Sequence, residues 1–219
     1  MKRNDELMRD GLRRNCQQTM KRICVFCGSS PGRKPEFIQA AHVLGGALVA
    51  RNITLVYGGA SVGVMGMLAK ATLDAGGEVI GVITKGLFEE KIASQELSQL
   101  YVMNTMHERK SKMAELSDGF IAMPGGLGTM EEFFEVLTWA QLGFHVKPCG
   151  LLNICHYYDY WLSFLDTMLR EQFIELEHRE MVMSDEEPDS LLRKFEVYKP
   201  PRNNKVTWAL ELTRKLRKT

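Results

Sequence analysis

Residues 123–132 read Met-Pro-Gly-Gly-Leu-Gly-Thr-Met-Glu-Glu. They follow the apolar run Phe120-Ile121-Ala122-Met123 and lead into a helical pattern that continues to Phe144. An extended apolar run, a glycine loop and a helix in succession is the unit from which parallel, doubly wound sheets are built. Glycines at such a junction let backbone N–H groups close around an anion. Two acidic side chains, Glu131 and Glu132, stand directly behind this loop, and an anion site alone does not explain them.

The same alternation runs along the chain. Strands are predicted at Arg22–Cys27, Ile53–Tyr57, Glu78–Ile83, Leu100–Met103, Gly119–Met123 and Cys149–Asn153. Helices are predicted at Glu36–Ala50, Val64–Ala75, His107–Ser117, Thr129–Phe144, Tyr158–Glu171 and Asp189–Tyr198. The strands are nearly continuous apolar runs, which suits a parallel sheet covered on both faces. The predicted fold is therefore α/β, a doubly wound parallel sheet with helices on both faces. No internal repeat or low-complexity stretch interrupts it.

In such a sheet, ligands bind beyond the carboxyl ends of the strands. Three small-residue loops fall there: Cys27-Gly28-Ser29-Ser30-Pro31-Gly32, the segment from Tyr57-Gly58-Gly59 to Gly66, and Pro124-Gly125-Gly126-Leu127-Gly128-Thr129. Gly28, Ser29, Gly58, Gly59, Pro124 and Gly125 are candidate walls of a phosphate cradle, with hydroxyls from Ser29 and Thr129. The second loop lacks the Lys-Ser/Thr pair of a P-loop. It also has Tyr57-Gly58-Gly59 where a dinucleotide fold expects an acidic ribose clamp, which argues against NAD.

Glu132 admits two readings. Thr129-Met130-Glu131-Glu132 fits a capping box, with threonine as N-cap and glutamate three residues on. Alternatively, a phosphate on the loop would hold a sugar near the first helical turn. A carboxylate there could stabilise a cationic sugar or activate water against its anomeric carbon. His107-Glu108-Arg109-Lys110 opens the preceding helix at the same edge. It reads either as surface solvation or as an anion contact in which Arg109 makes a bidentate bond.

Composition is that of a globular protein of 219 residues, 45% hydrophobic and 25% charged. No apolar run approaches the roughly 18 residues of a membrane span. The first residues, MKRNDELMRDGLRRNCQQ, lack the apolar core of a signal peptide, so the expected location is the cytoplasm. Residues 1–22 carry a net +4 and residues 199–219 a net +6, around a body at −9. The basic ends read as solvated termini rather than nucleic-acid arms, since they lack dense arginine and aromatic interleaving. Of the five cysteines, Cys24 and Cys27 form a C-x-x-C inside a predicted buried strand, with no second ligand pair and no helix start, and read as core residues rather than a redox or zinc site. The expected organisation is a polar extension (1–20), one catalytic domain (21–198) and a basic tail (199–219).

With these residues in view, the chain resembles the LOG family, the cytokinin riboside 5′-monophosphate phosphoribohydrolases, also labelled lysine decarboxylases. "PGGLGTMEE" fits P-G-G-x-G-T-x-x-E, and "MHERK", "CGSSPG", "YGGASVGVMG" and "TWAQLG" accompany it between Lys21 and about Tyr198. The resemblance implies a Rossmann-like fold, a homodimer with sites near the interface, and no cofactor or metal. It implies cleavage of the N-glycosidic bond of adenine-type nucleoside 5′-monophosphates, with Arg109 and Glu132 as the catalytic pair. Substrate contacts would come from Lys110, Gly126, Leu127, Gly128, Thr129, Met130, Glu131 and Thr138. A further family glutamate matches either Glu89 or Glu90, within Leu87-Phe88-Glu89-Glu90-Lys91. Related folds that carry nucleotides or molybdenum cofactor without hydrolysis form the alternative. Retention of both Arg109 and Glu132 favours the enzyme. No lysine lies in a pyridoxal phosphate motif, which argues against a decarboxylase.

Overall fold

The computed structural model describes residues 20–90, 94 and 96–201. Cys16, most of the polar extension and most of the basic tail lie outside the described residues, as does Lys91. Seven strands form one parallel sheet: β1 (Arg22–Phe26), β2 (Thr54–Tyr57), β3 (Val79–Thr84), β4 (Gln99–Met103), β5 (Gly119–Ala122), β6 (Cys149–Leu152) and β7 (Val182–Asp185). Their order is β4-β3-β2-β1-β5-β6-β7, so the chain winds outward twice from β1. The reversal between β1 and β5 is the switch point at which such sheets bind ligands.

Among the described residues, eight α-helices accompany the sheet: α1 (Pro35–Ala50), α2 (Gly63–Asp74), α3 (Lys85–Glu89), α4 (Met106–Leu116), α5 (Leu127–Leu142), α6 (Asp159–Arg170), α7 (Leu176–Glu180) and α8 (Pro188–Glu196). Period-two alternation in β1 splits the core into two layers. Ile23, Val25 and Cys27 face Leu44 and Leu48 of α1, Leu68 of α2 and Leu192 of α8. Cys24 and Phe26 face Met113 of α4, Phe133 and Val136 of α5, and Leu165 of α6. With both faces buried, neither can be polar, which produces the continuous apolar runs in the sequence. Cys24 and Cys27 are free, buried thiols on opposite sides of the sheet.

The predicted doubly wound sheet is thus the observed one, with three additions. β7 escaped notice because two of its four residues, Ser184 and Asp185, are polar and it presents no apolar run. α3 is a single turn with no buried residue, and α7 has only five residues. Both are too short to show a helical period. α5 starts at Leu127, two residues before the expected start, because Gly126 takes the N-cap position. It ends at Gly143, whose left-handed φ of 83° suits a residue without a Cβ.

Strand register brings the loops together. Val25 pairs with Tyr57 and Phe26 with Ala122, so the turns after β1, β2 and β5 emerge side by side. The Gly28 N–H donates to the Pro124 carbonyl (3.2 Å), and the Met65 N–H to the Gly28 carbonyl (3.2 Å). A Cβ on Gly63 would collide with the Ser29 carbonyl. The three glycine loops interlock at one edge of the sheet, as expected.

Candidate active site

Two helix starts meet at this edge. α4 opens with a capping box: Thr105 Oγ1 accepts from the Glu108 N–H (3.1 Å), and the Glu108 carboxylate accepts from the Thr105 N–H (3.1 Å). Glu108 is thereby committed to the helix end. The next two residues turn inward, and both Arg109 (6% exposed) and Lys110 (7%) are buried. They are among the few buried charges, and each is paired with α5.

Arg109 Nη1 donates to Glu132 Oε1 (2.6 Å), with Met106 Sδ at 3.4 Å, and Arg109 Nε donates to the Val82 carbonyl (2.9 Å). Glu132 is 8% exposed. Burial raises its carboxyl above the ordinary range, and the Arg109 charge and hydrogen bond offset this only in part. Lys110 Nζ bridges Glu131 and Glu135, the latter at 3.1 Å. Burial alone would lower the Lys110 ammonium, but these two carboxylates raise it. Breaking a buried pair by removing one partner typically costs about 3–5 kcal/mol, so the Arg109–Glu132 pair also fastens α4 to α5.

The capping reading of Glu132 is overturned. Thr129 lies inside the first turn of α5 rather than at its N-cap, and no side chain caps that end. Glu132 points to Arg109 across to α4. The first N–H groups of α5 have no partner within the helix, and they open at Gly126, Leu127 and Gly128, all exposed.

Beside them lies a cavity of about 250 Å³ lined by Gly28, Ser29, Ser30, Pro31, Gly32, Phe37, Val64, Pro124, Gly125, Gly126 and Tyr157. A cavity floored by amides at a helix start and walled by two aromatic rings suits a phosphate attached to an organic group. Two tyrosines from the turn after β6 hold its glycine wall. Tyr157 OH donates to the Gly125 carbonyl (2.6 Å) and Tyr158 OH to the Met123 carbonyl (2.7 Å). Sequence reasoning missed both, although their position just after a predicted strand marked the right edge. It also missed the Val82 carbonyl, which a backbone group gives no means to foresee.

The other predicted residues divide. Thr129 is buried (4% exposed) with its hydroxyl against Gly125. Met130 is half-buried against the second core layer. Gly58 lies beneath the Arg109 guanidinium, while Gly59, at φ 78°, turns the chain away from β2. Thr138 is exposed and falls on the stripe of Glu131 and Glu135, away from Glu132. Glu89 and Glu90 are exposed at the end of α3, and Glu89 reaches Lys85 (3.8 Å). Cys27 beneath the site is no nucleophile, since burial and then the Glu132 charge hold its thiol far up.

Fold and site together define a Rossmann-like protein with an anion cradle next to a buried arginine–carboxylate pair. The chain belongs to the LOG family: residues 65–195 match the family model described as "Possible lysine decarboxylase". It is 48% identical over 198 residues to a probable cytokinin riboside 5′-monophosphate phosphoribohydrolase of rice, Oryza sativa subsp. japonica, covering 89% of this chain and 79% of that one. It is 47% identical over 194 residues to a cytokinin riboside 5′-monophosphate phosphoribohydrolase of Arabidopsis thaliana, covering 87% and 90%. Among solved structures, a molybdenum cofactor binding protein from Rippkaea orientalis aligns with a TM-score of 0.59 at 24% identity, over 79% of this chain and 93% of that one. That likeness concerns the fold alone.

Proposed function

We propose that the protein hydrolyses the N-glycosidic bond of adenine or N6-substituted adenine nucleoside 5′-monophosphates, acting in the cytoplasm as a homodimer through its 21–198 domain. The observation that carries this reading is the buried Arg109–Glu132 pair at the edge of the glycine-loop cradle. The substrate named for the relatives has both chemistries that this site offers: a phosphate for the cradle and a ribose that becomes cationic as the base departs.

In the proposed reaction, the phosphate docks on the loop amides and Thr129, remote from the bond that breaks. Its binding energy holds C1′ of the ribose facing Glu132. As the C1′–N9 bond breaks, its electron pair leaves with the base, which takes up a proton. The Glu132 carboxylate stabilises the positive charge on the sugar and accepts a proton from the water that adds to C1′. A carboxyl raised by burial is a stronger base toward that proton than an ordinary one. Arg109 keeps Glu132 ionised enough to do so and fixes its orientation. Products are the free base and ribose 5-phosphate. A carrier would need no carboxylate facing the sugar.

Chromatographic measurement of free base released from AMP, an N6-substituted AMP and adenosine tests the reading. Both monophosphates should be cleaved, and adenosine far more slowly. Equal release from AMP and adenosine would remove the cradle from the mechanism. No release from any of the three would refute the enzyme.

A further inference from the structure

Arg109 is held on three sides, and the third holder is a residue with no side chain. Its Nε is bonded to the Val82 carbonyl (2.9 Å) and its Nη1 to Glu132 (2.6 Å). Among the described residues, Nη2 has no hydrogen-bond acceptor, and it lies against Gly58. A Cβ built on Gly58 would stand 2.5 Å from Nη2, 3.7 Å from Cζ and 3.4 Å from Met65 Sδ. Gly58 does not need to be glycine for its backbone: unlike Gly59, it has no positive φ. What it supplies is space, at the end of β2, for the flat edge of the guanidinium.

We propose that Gly58 is a positioning residue for Arg109, the seat against which the Nη2 edge rests so that this nitrogen is the one free to meet a substrate oxygen. This rests on the reading of Arg109 and Glu132 as the reacting pair. A methyl group at Gly58 must drive Nη2 back by about 1 Å to reach an ordinary contact near 3.5 Å. The rest of the fork moves with it, because the guanidinium is planar and rigid. Met65 gives little relief on the other side, since it is packed against the first core layer.

The test is a cycle of Gly58→Ala, Arg109→Ala and the double variant, read in two ways. First, kcat/KM for an N6-substituted AMP should fall on the order of 10²-fold in Gly58→Ala, the usual cost of a misplacement of about 1 Å. The same change in the Arg109→Ala background should cost little more. Second, the Glu132 carboxyl, followed by carbon NMR and assigned with Glu132→Gln, should titrate at higher pH in Gly58→Ala, because the arginine that offsets its burial has been moved away. Gly77→Ala, whose methyl would meet Val49 Cγ2 and Thr72 Cγ2 (the latter at 3.0 Å) at the other end of the sheet, is the comparator: it should lower Tm without moving that titration.

An unmoved Glu132 titration in folded Gly58→Ala, or equal losses in the two backgrounds, overturns the proposal. If Gly58→Ala does not fold, recovery of folding in Gly58→Ala/Arg109→Ala/Glu132→Gln, which leaves no buried charge unpaired, supports it, and failure of that variant to fold overturns it. Should the unmodified protein release no base at all, the proposed reaction falls, while the titration still decides whether Gly58 seats Arg109.

Discussion

Replacing Glu132 with glutamine separates its chemical role from its structural one. Glutamine keeps the shape of the side chain and leaves an amide oxygen where Arg109 Nη1 now finds Oε1 at 2.6 Å. An ion pair becomes a hydrogen bond from the charged Arg109 to a neutral amide oxygen, a loss of about 1 kcal/mol. That loss is offset in part because a buried carboxylate no longer has to be kept out of water, the effect that already raises its pKa. Net stability should change by about 1 kcal/mol or less, or roughly 2–4 °C in Tm for a chain of this size. Turnover depends on what glutamine lacks, a negative charge facing the sugar and a site for the proton. It should fall on the order of 10²-fold or more, roughly 2.7 kcal/mol of transition-state stabilisation. Alanine would be the wrong variant, because it strands Arg109 as a buried, unpaired charge at about 3–5 kcal/mol and confuses unfolding with chemistry. The measurements are calorimetric Tm and chromatographic release of base from AMP, made on the same preparation. Near-normal release with an unchanged Tm would return Glu132 to a purely structural place and refute the mechanism.

Asp185 gives a pH-dependent prediction. Burial pushes its carboxyl up, but hydrogen bonds from Ser190, Lys194 and the Glu187 N–H pull it further the other way, to about 2 from an ordinary 3.8. A lowered carboxyl contributes stability above its unfolded pKa and loses it as pH falls through the folded one. Asp185→Asn should therefore cost about 1 kcal/mol above pH 5, a difference that shrinks below about pH 4 and is gone only near pH 1; thermal melts showing a constant gap down to about pH 2 would refute it. The homodimer is tested by light scattering, which should give about twice 24.9 kDa at micromolar concentration. The motive is the exposed apolar surface beside the site, with Leu127 91%, Tyr160 93% and Phe164 54% exposed, and a single-chain mass would refute it.

The sheet was legible because its physics is redundant. Strands buried on both faces must be apolar throughout, and each is followed by small residues where the chain turns. β7 broke that rule at the edge of the sheet, where Met183, Ser184 and Asp185 are only half-buried, and so it left no signature. The glycine loops were legible for a similar reason: their spacing after strands fixes the edge on which they meet. The pairing of Arg109 with Glu132 was legible only through the family resemblance, not from the residues themselves. Those residues are 23 apart, and no periodicity connects them; they meet because α4 and α5 lie side by side on one face of the sheet. Local reasoning even favoured a competing partner for Glu132, since Thr129-x-x-Glu132 has the form of a capping box. The true box of this region is Thr105-x-x-Glu108 on the other helix. Two similar four-residue patterns therefore end in different places, and what separates them is where each helix starts. Thr105 is itself the N-cap of α4 and closes the box with Glu108, whereas Gly126, three positions before Thr129, is the N-cap of α5 and carries Thr129 into the first turn. The glycine that opens the anion cradle is thus also what frees Glu132 from capping and turns it toward Arg109.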